Sequence, residues 1–141
     1  MKFLGEVTGG QATEAGRRLK ALELKSATVA VRGTGAFPNA SRPRVVWVGV
    51  GSDDSQKVTA MAEQILGSLK GIGEEDSRQF QPHLTLARVR SGVNKEPLEA
   101  LIKSSMDRSF GQVTFSEFKL KSSVLTSKGP IYSDVGVYPL R

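Results

Sequence analysis

The sequence predicts an α+β domain. Apolar residues recur at helical spacing in some segments, they alternate or cluster as in strands in others, and the two kinds mix without a strict strand–helix–strand rhythm. A chain of 141 residues has the size of one domain. We therefore expect a single domain over residues 1–141.

The first part of the chain predicts a helix followed by two strands. The helix spans 11–24, where apolar residues recur every three or four positions. The alternating stretch 26–33 predicts a strand, and 33–43 predicts a loop because it is rich in Gly, Pro, Asn and Ser. The β-branched stretch 44–50 is apolar on both faces, which indicates a central strand.

The middle of the chain predicts the most regular helix. It begins near Ser52 or Asp53, either of which can act as N-cap, and its apolar stripe runs to Leu69. A polar connector over 71–79 leads into a strand that carries His83.

The last part of the chain predicts a helix and two strands. The helix spans 94–107 and has Pro97 in its first turn. A bent strand over 111–127, a turn at 128–130 and a final strand over 131–140 complete the domain.

The composition excludes several kinds of chemistry. The chain has no cysteine, which excludes disulfides, thiolate catalysis, zinc fingers and iron–sulfur clusters. It has one histidine, so a metal site built from several histidines is excluded as well. We expect no metal and no cofactor.

The chain shows no sign of membrane insertion or secretion. No apolar run approaches the ~18 residues of a membrane span, and residues 1–10 lack the apolar region of a signal peptide. We expect a soluble, cytoplasmic protein with no membrane partner.

The charge is compatible with a polyanionic ligand. The net charge is +6, and the basic residues form small groups, which argues against a disordered nucleic-acid-binding tail. A folded phosphate-binding groove and an ordinary solvated basic surface both fit this pattern.

His83 and Thr85 are the strongest candidates for chemistry. Residues two apart on a strand share a face, so both side chains point the same way. An imidazole titrates near neutral pH and serves as general acid or base, while a hydroxyl donates to an anionic oxygen. This combination suits phosphoryl chemistry, although a lone strand histidine also fits a structural, hydrogen-bonded role.

Four segments carry a family resemblance and occur in this order: FLGEV at 3–7, GAFPNASRPRVVWVGV at 35–50, FQPHLTLARVR at 80–90 and SVLTSKGPIY at 123–132. Together they resemble the RNA 2′,3′-cyclic phosphodiesterases, also called 2′-5′ RNA ligases, of the two-histidine (2H) phosphoesterase superfamily. The resemblance covers nearly the whole chain.

The resemblance implies a two-lobed, LigT-like fold with antiparallel sheets lining a central groove. It also implies metal-independent hydrolysis of 2′,3′-cyclic phosphate ends of RNA or small nucleotides to 2′-phosphates, with 2′-5′ joining as a further activity. In that family two His-x-Thr or His-x-Ser motifs face each other across the groove. The second motif falls on His83 and Thr85. The resemblance implies that His83 is one of the two general acid or base groups and that the Thr85 hydroxyl donates a hydrogen bond to the phosphate.

The chain departs from the family pattern at its start. The first His-x-Thr motif should lie immediately before KFLGEV, where the printed chain begins with Met1. Either Met1 is an internal methionine of a longer protein whose N-terminal strand–helix–strand is missing here, or the short form is genuine. We expect this chain by itself to be a weak or inactive enzyme, and the alternative is an RNA- or nucleotide-binding module. An exposed sheet edge would favour self-association.

Two further residues are candidate substrate contacts. Arg44 opens a predicted strand and could bind a phosphate, and Tyr132 could stack on a base or bond a phosphate. A solvated strand-end arginine and a core tyrosine are the alternatives. If its strand is regular, Arg88 faces away from His83, and we expect it to form a salt bridge.

Overall fold

The computed structural model describes residues 2–74 and 79–141. The predicted connector over 71–79 therefore lies partly outside the described residues. The chain divides into two compact units, each described by itself below. The first comprises Met1–Ala27, Ala60–Phe80 and Phe115–Arg141, and the second comprises Thr28–Thr59 and Gln81–Thr114.

The elements are of both kinds, as the sequence predicts. The helices are α1 (Gly9–Lys20), α2 (Ser52–Ser68) and α3 (Lys95–Ser104). The strands are β1 (Ala27–Phe37), β2 (Val45–Val50), β3 (His83–Arg88), β4 (Ser109–Phe115), β5 (Glu117–Thr126) and β6 (Gly129–Pro139). Within the described ranges, no helix has the length and apolar character needed to cross a bilayer.

The boundaries predicted for two of the strand regions are wrong. The segment 33–43 was expected to be a loop, but β1 continues to Phe37 because Gly35 and its neighbours pair with β2. The predicted strand over 111–127 is two strands, separated at Ser116 and belonging to different sheets.

The first unit packs α1 against the end of α2 and the β5–β6 hairpin. Its core contains buried Ala15, Leu19, Leu69 and Ile72, with Phe118, Leu120 and Tyr138 of the hairpin packed against them. Helix α1 begins two residues earlier than predicted because Thr8 and Gln11 form a capping box: the Thr8 hydroxyl accepts from the Gln11 N–H at 3.2 Å, and the Thr8 N–H donates to the Gln11 side chain at 2.9 Å.

An ion-pair network holds the exposed side of α1. Both Arg17 and Arg18 donate to the Glu14 carboxylate at 2.7 Å. These hydrogen bonds favour the charged carboxylate and lower the pKa of Glu14 to about 2. Arg18 also donates to the backbone carbonyls of Ser68 and Lys70 at 3.3 and 3.0 Å, which ties α1 to the end of α2.

The second unit is a four-stranded sheet with the order β3-β2-β1-β4. One face packs on α3 through a core of Ala36, Val46 and Ile102, with Val89 and Leu98 beside them. The opposite face of the sheet carries His83.

The β5–β6 hairpin forms a two-stranded antiparallel sheet. Its strands pair from Glu117↔Pro139 to Thr126↔Gly129. The half nearest the turn exposes large apolar side chains to solvent: Val124 62%, Leu125 84%, Ile131 58% and Tyr132 63%. So much exposed apolar surface marks this half of the hairpin as a candidate contact surface.

Candidate active site

His83 is the first residue of β3 and lies opposite Gly49 of β2. Its side chain is exposed, and Nδ1 lies 2.7 Å from the backbone carbonyl oxygen of Gln81. This placement suits a reactive imidazole, because one ring nitrogen is fixed by the backbone while the ring remains accessible to a ligand.

The contact with Gln81 determines which nitrogen of His83 is available for chemistry. A carbonyl oxygen only accepts hydrogen bonds, so Nδ1 carries the proton and donates. In the neutral ring Nε2 then holds the lone pair and can act as a base, and in the charged ring Nε2–H can act as an acid. The geometry therefore leaves Nε2 as the ring nitrogen that can exchange a proton with a ligand.

Two aromatic rings fix the orientation of the imidazole. Phe37 lies edge-on to His83 with ring centroids 5.0 Å apart, and Trp47 lies 6.3 Å from it. The two aromatic rings contact each other at 5.4 Å. Trp47 lies so close over Gly35 that a Cβ on that glycine would overlap the indole ring.

Thr85 lies on the same face as His83. It pairs with Trp47, while His83 pairs with Gly49, two residues further along β2. Residues two apart on β2 share a face, and directly paired residues do as well. The structure thus brings His83 and Thr85 together on one accessible face, where both are exposed.

A β-bulge changes the face on which Arg88 lies. The register shifts between Val46↔Ala87 and Trp47↔Thr85, which leaves Leu86 as the extra residue of β3. The pairing of β2 with β1 is regular over the same residues, so the irregularity belongs to β3.

The prediction that Arg88 faces away from His83 is therefore wrong, because it assumed a regular strand. Arg88 pairs with Val45, which shares a face with Trp47 and Thr85. Among residues 2–74 and 79–141 no carboxylate pairs with Arg88, and the expected salt bridge stays a prediction. The bulge also turns Val89 toward the core on the α3 side.

Arg44 and Tyr132 are placed differently. The carbonyl of Arg44 accepts from the Val89 N–H at 2.9 Å, which continues the ladder by one residue and gives Arg44 the register of the α3 face. Tyr132 belongs to the other unit, where it pairs with Ser123 and is 63% exposed. Substrate binding by either residue stays a prediction.

Sequence reasoning missed the aromatic neighbours of His83. The predicted central strand over 44–50 contains Trp47 and the predicted loop over 33–43 contains Phe37, but neither pattern places the two rings beside His83. The signal that could have found them is Gly35, since a glycine within a strand often marks a close approach of another group.

Comparison with known proteins identifies the family of this chain. Residues 13–140 match the family described as AKAP7 2′5′ RNA ligase-like domain. An RNA 2′,3′-cyclic phosphodiesterase of Aeropyrum pernix is 40% identical over 134 residues, which is 94% of this chain and 75% of the relative. The chain belongs to this family.

Other members of the 2′-5′ RNA ligase-like family match over a similar span. RNA 2′,3′-cyclic phosphodiesterases of Archaeoglobus fulgidus and Aquifex aeolicus are each 36% identical, over 96% of this chain and 75% and 73% of their own lengths. The chain thus spans about three quarters of these relatives.

Comparison with solved structures confirms the fold. Escherichia coli LigT complexed with 3′-AMP superimposes with a TM-score of 0.74 at 20% identity, over 99% of this chain and 74% of LigT. A Thermus thermophilus structure gives a TM-score of 0.62 at 30% identity, over 99% of this chain and 75% of that one. The predicted α+β, LigT-like fold is confirmed.

Proposed function

We propose that this chain is an RNA 2′,3′-cyclic phosphodiesterase, which hydrolyses a 2′,3′-cyclic phosphate end to a 2′-phosphate. The observation that carries the proposal is the pairing of an exposed imidazole, anchored at Nδ1, with the hydroxyl of Thr85 on the same face. The names of the relatives support the choice of substrate.

The proposed step breaks one phosphorus–oxygen bond. Water attacks the cyclic phosphorus, the bond from phosphorus to the 3′-oxygen breaks, and that oxygen takes up a proton. His83 Nε2 either removes the proton of the water or supplies the proton of the leaving oxygen, and the Thr85 hydroxyl donates to a phosphate oxygen. A 5′-hydroxyl that attacks in place of water would form a 2′-5′ linkage by the same exchange, because the bond from phosphorus to the 3′-oxygen breaks and that oxygen again takes up a proton.

One imidazole does not reach both sides of an in-line displacement. The family resemblance implies a second histidine, whereas the printed sequence contains one. The loss of one general acid or base typically slows a reaction by ~10²–10⁴. We therefore expect slow turnover by the 141-residue chain alone.

The experiment that tests the proposal uses a short RNA with a 2′,3′-cyclic phosphate end, incubated with the chain and a metal chelator. We expect slow, multiple-turnover formation of a 2′-phosphate, identified by phosphorus NMR. Formation of a 3′-phosphate would contradict the proposed bond cleavage. No turnover with retained binding would favour the second candidate, a binding module, and no binding at low salt would exclude both.

RNA ends and small nucleotides are the proposed partners. LigT binds 3′-AMP in one structure and ATP in another, which supports a nucleotide ligand for this chain too. Because RNA is the proposed substrate, we also propose a cytoplasmic location, which fractionation of cells that express a tagged chain would test.

We also propose that the β5–β6 hairpin self-associates with a second copy of the chain. Each strand of this two-stranded sheet has one edge without a partner strand among the described residues. Antiparallel edge pairing about a two-fold axis is self-complementary, so one hairpin can bind its own copy. It would bring the exposed apolar residues of two hairpins together.

Sedimentation velocity over a concentration series tests this association. We expect a dimer that strengthens with salt, since each copy carries a net charge of +6. Leu125→Lys should weaken the dimer at least about tenfold, because it places a charge in the apolar patch. Val93→Lys is the matched control, since Val93 is 76% exposed and lies in the other unit. A monomer at all concentrations would contradict the proposal.

A further inference from the structure

A cavity of about 420 Å³ lies in the second unit, just past the end of β2. Gly51 lines it and lies two residues beyond Gly49, the partner of His83, so the floor of the cavity continues the face of His83. A Cβ on Gly51 would contact the Cβ of Ala30 at 3.6 Å, which places Ala30 of β1 on the same face. These small residues leave room for a flat group next to the row of the imidazole.

A bulge in β1 brings Arg32 into the row of His83. The register of β1 against β2 shifts at this point, and Arg32 and Gly33 lie together opposite Gly49. Gly49 pairs with His83 on its other side, so the backbones of Arg32 and His83 lie about 10 Å apart, at ~4.8 Å per strand. Arg32 is exposed and lines the cavity.

The start of α2 forms one wall of the cavity. The Asp54 carboxylate accepts from the Ala30 N–H at 2.9 Å and from Lys57 at 2.7 Å, which fastens the helix to β1. Asp53 lies in the same first turn and lines the cavity as well. The N-terminus of a helix stabilises a charged carboxylate. Asp53 therefore offers a charged hydrogen-bond acceptor, while Asp54 holds the wall in place.

The segment that leads into β4 forms a second wall. The Arg108 carbonyl accepts from the Gly33 N–H at 2.9 Å, and the Ser105 carbonyl accepts from the Thr34 N–H at 3.2 Å. Asp107 lies between these two contacts and lines the cavity. The cavity thus combines an arginine with carboxylates on two walls that the backbone of β1 holds in place.

We propose that this cavity binds the base of the nucleotide that carries the cyclic phosphate, and that it selects guanine. The inference rests on the proposed function, because it places the cyclic phosphate at His83 and Thr85. Gly51 lies about 7 Å along the sheet from the row of His83. This distance is comparable to that between a 2′,3′-phosphate and the base of the same nucleotide.

Guanine matches both kinds of group in the lining. A guanidinium such as that of Arg32 can donate two hydrogen bonds, to N7 and O6 of guanine. A carboxylate, from Asp53 or Asp107, can accept from N1–H and from the 2-amino group. Adenine has neither O6 nor N1–H, and the pyrimidines lack N7. Of the four bases, guanine therefore satisfies the arginine and a carboxylate together.

The test measures the affinity of the chain for the 2′,3′-cyclic phosphates of guanosine, inosine and adenosine. Inosine is guanosine without the 2-amino group, so this pair isolates the carboxylate contact. We expect wild type to bind the guanosine ligand about tenfold more tightly than the inosine ligand, the low end of the effect of a hydrogen bond to a charged group. The adenosine ligand should bind more weakly than both.

Variants of the lining assign the two contacts. Arg32→Gln should weaken the guanosine and inosine ligands alike, by about tenfold, because both carry N7 and O6. It should change the affinity for the adenosine ligand much less. Asp53→Asn or Asp107→Asn should instead reduce the ratio of the guanosine affinity to the inosine affinity, since the carboxylate is the acceptor of the 2-amino group.

Lys95→Gln and Glu96→Gln are the matched controls, because each removes one charge from α3, which packs on the opposite face of the sheet. Both should keep the preference for guanosine. Equal affinities of wild type for the three ligands, or a preference for another base, would overturn this inference and leave the proposed function standing. The same holds if neither Asp53→Asn nor Asp107→Asn lowers the ratio, or if Arg32→Gln weakens all three ligands equally. Failure of wild type to bind any of the three would overturn both.

Discussion

His83→Ala should reduce the turnover of a cyclic-ended RNA by a further ~10²–10⁴, with an affinity for RNA that stays within a few-fold of wild type. The imidazole is exposed and forms one described hydrogen bond, to the Gln81 carbonyl. Its removal therefore takes away proton transfer at Nε2 and little else. Single-turnover rates and equilibrium binding, measured on the same preparations, separate the two effects.

Thr85 provides the matched comparison for His83. Thr85→Ser keeps the hydroxyl and should retain most of the turnover, whereas Thr85→Val removes the hydroxyl at nearly constant shape and should slow the reaction. If His83→Ala leaves both turnover and binding unchanged, His83 is not a catalytic residue and the activity belongs elsewhere. A selective loss of turnover would exclude the simple binding module.

Gly35→Ala should destabilise the protein and disturb the imidazole together. A methyl group at this position overlaps the indole ring of Trp47, so the ring has to move. Overpacking of this kind typically lowers the free energy of unfolding by about 1–3 kcal/mol. Trp47 lies beside His83, and its displacement should reduce the turnover rate more than RNA binding.

Gly67→Ala is the control for this substitution. Gly67 lies near the end of α2, and a Cβ there meets no atom within 4 Å. The same glycine-to-alanine change should therefore stabilise the chain by about 0.5–1 kcal/mol, since alanine favours the helix. Thermal or chemical denaturation measures both changes, and equal effects at the two positions would contradict the packing argument.

The sequence predicted that His83 and Thr85 share a face because their relation depends only on local spacing. His83 and Thr85 are two residues apart on a strand, and period-two alternation keeps them on one face whatever surrounds them. The face on which Arg88 lies depends on every residue between Thr85 and Arg88, including the bulge at Leu86. No residue type in that stretch signals a bulge. The prediction therefore failed at the first position beyond the irregularity.

The fold was predictable where side-chain periodicity dominates. The apolar stripe of α2 and the β-branched run of β2 predicted the ends of these two elements to within one or two residues. The errors fall where long-range packing decides: the glycine-rich end of β1 is strand because β2 pairs with it under the Trp47 ring, and the split at Ser116 follows from β4 and β5 belonging to different sheets.

Trp47 can serve as an intrinsic fluorescent probe of the region around His83. Each is the only residue of its type in the chain, and their rings lie 6.3 Å apart. A ligand on this face would alter the surroundings of the indole ring. We therefore expect the intrinsic fluorescence of the unmodified protein to report ligand binding at the candidate site without any label.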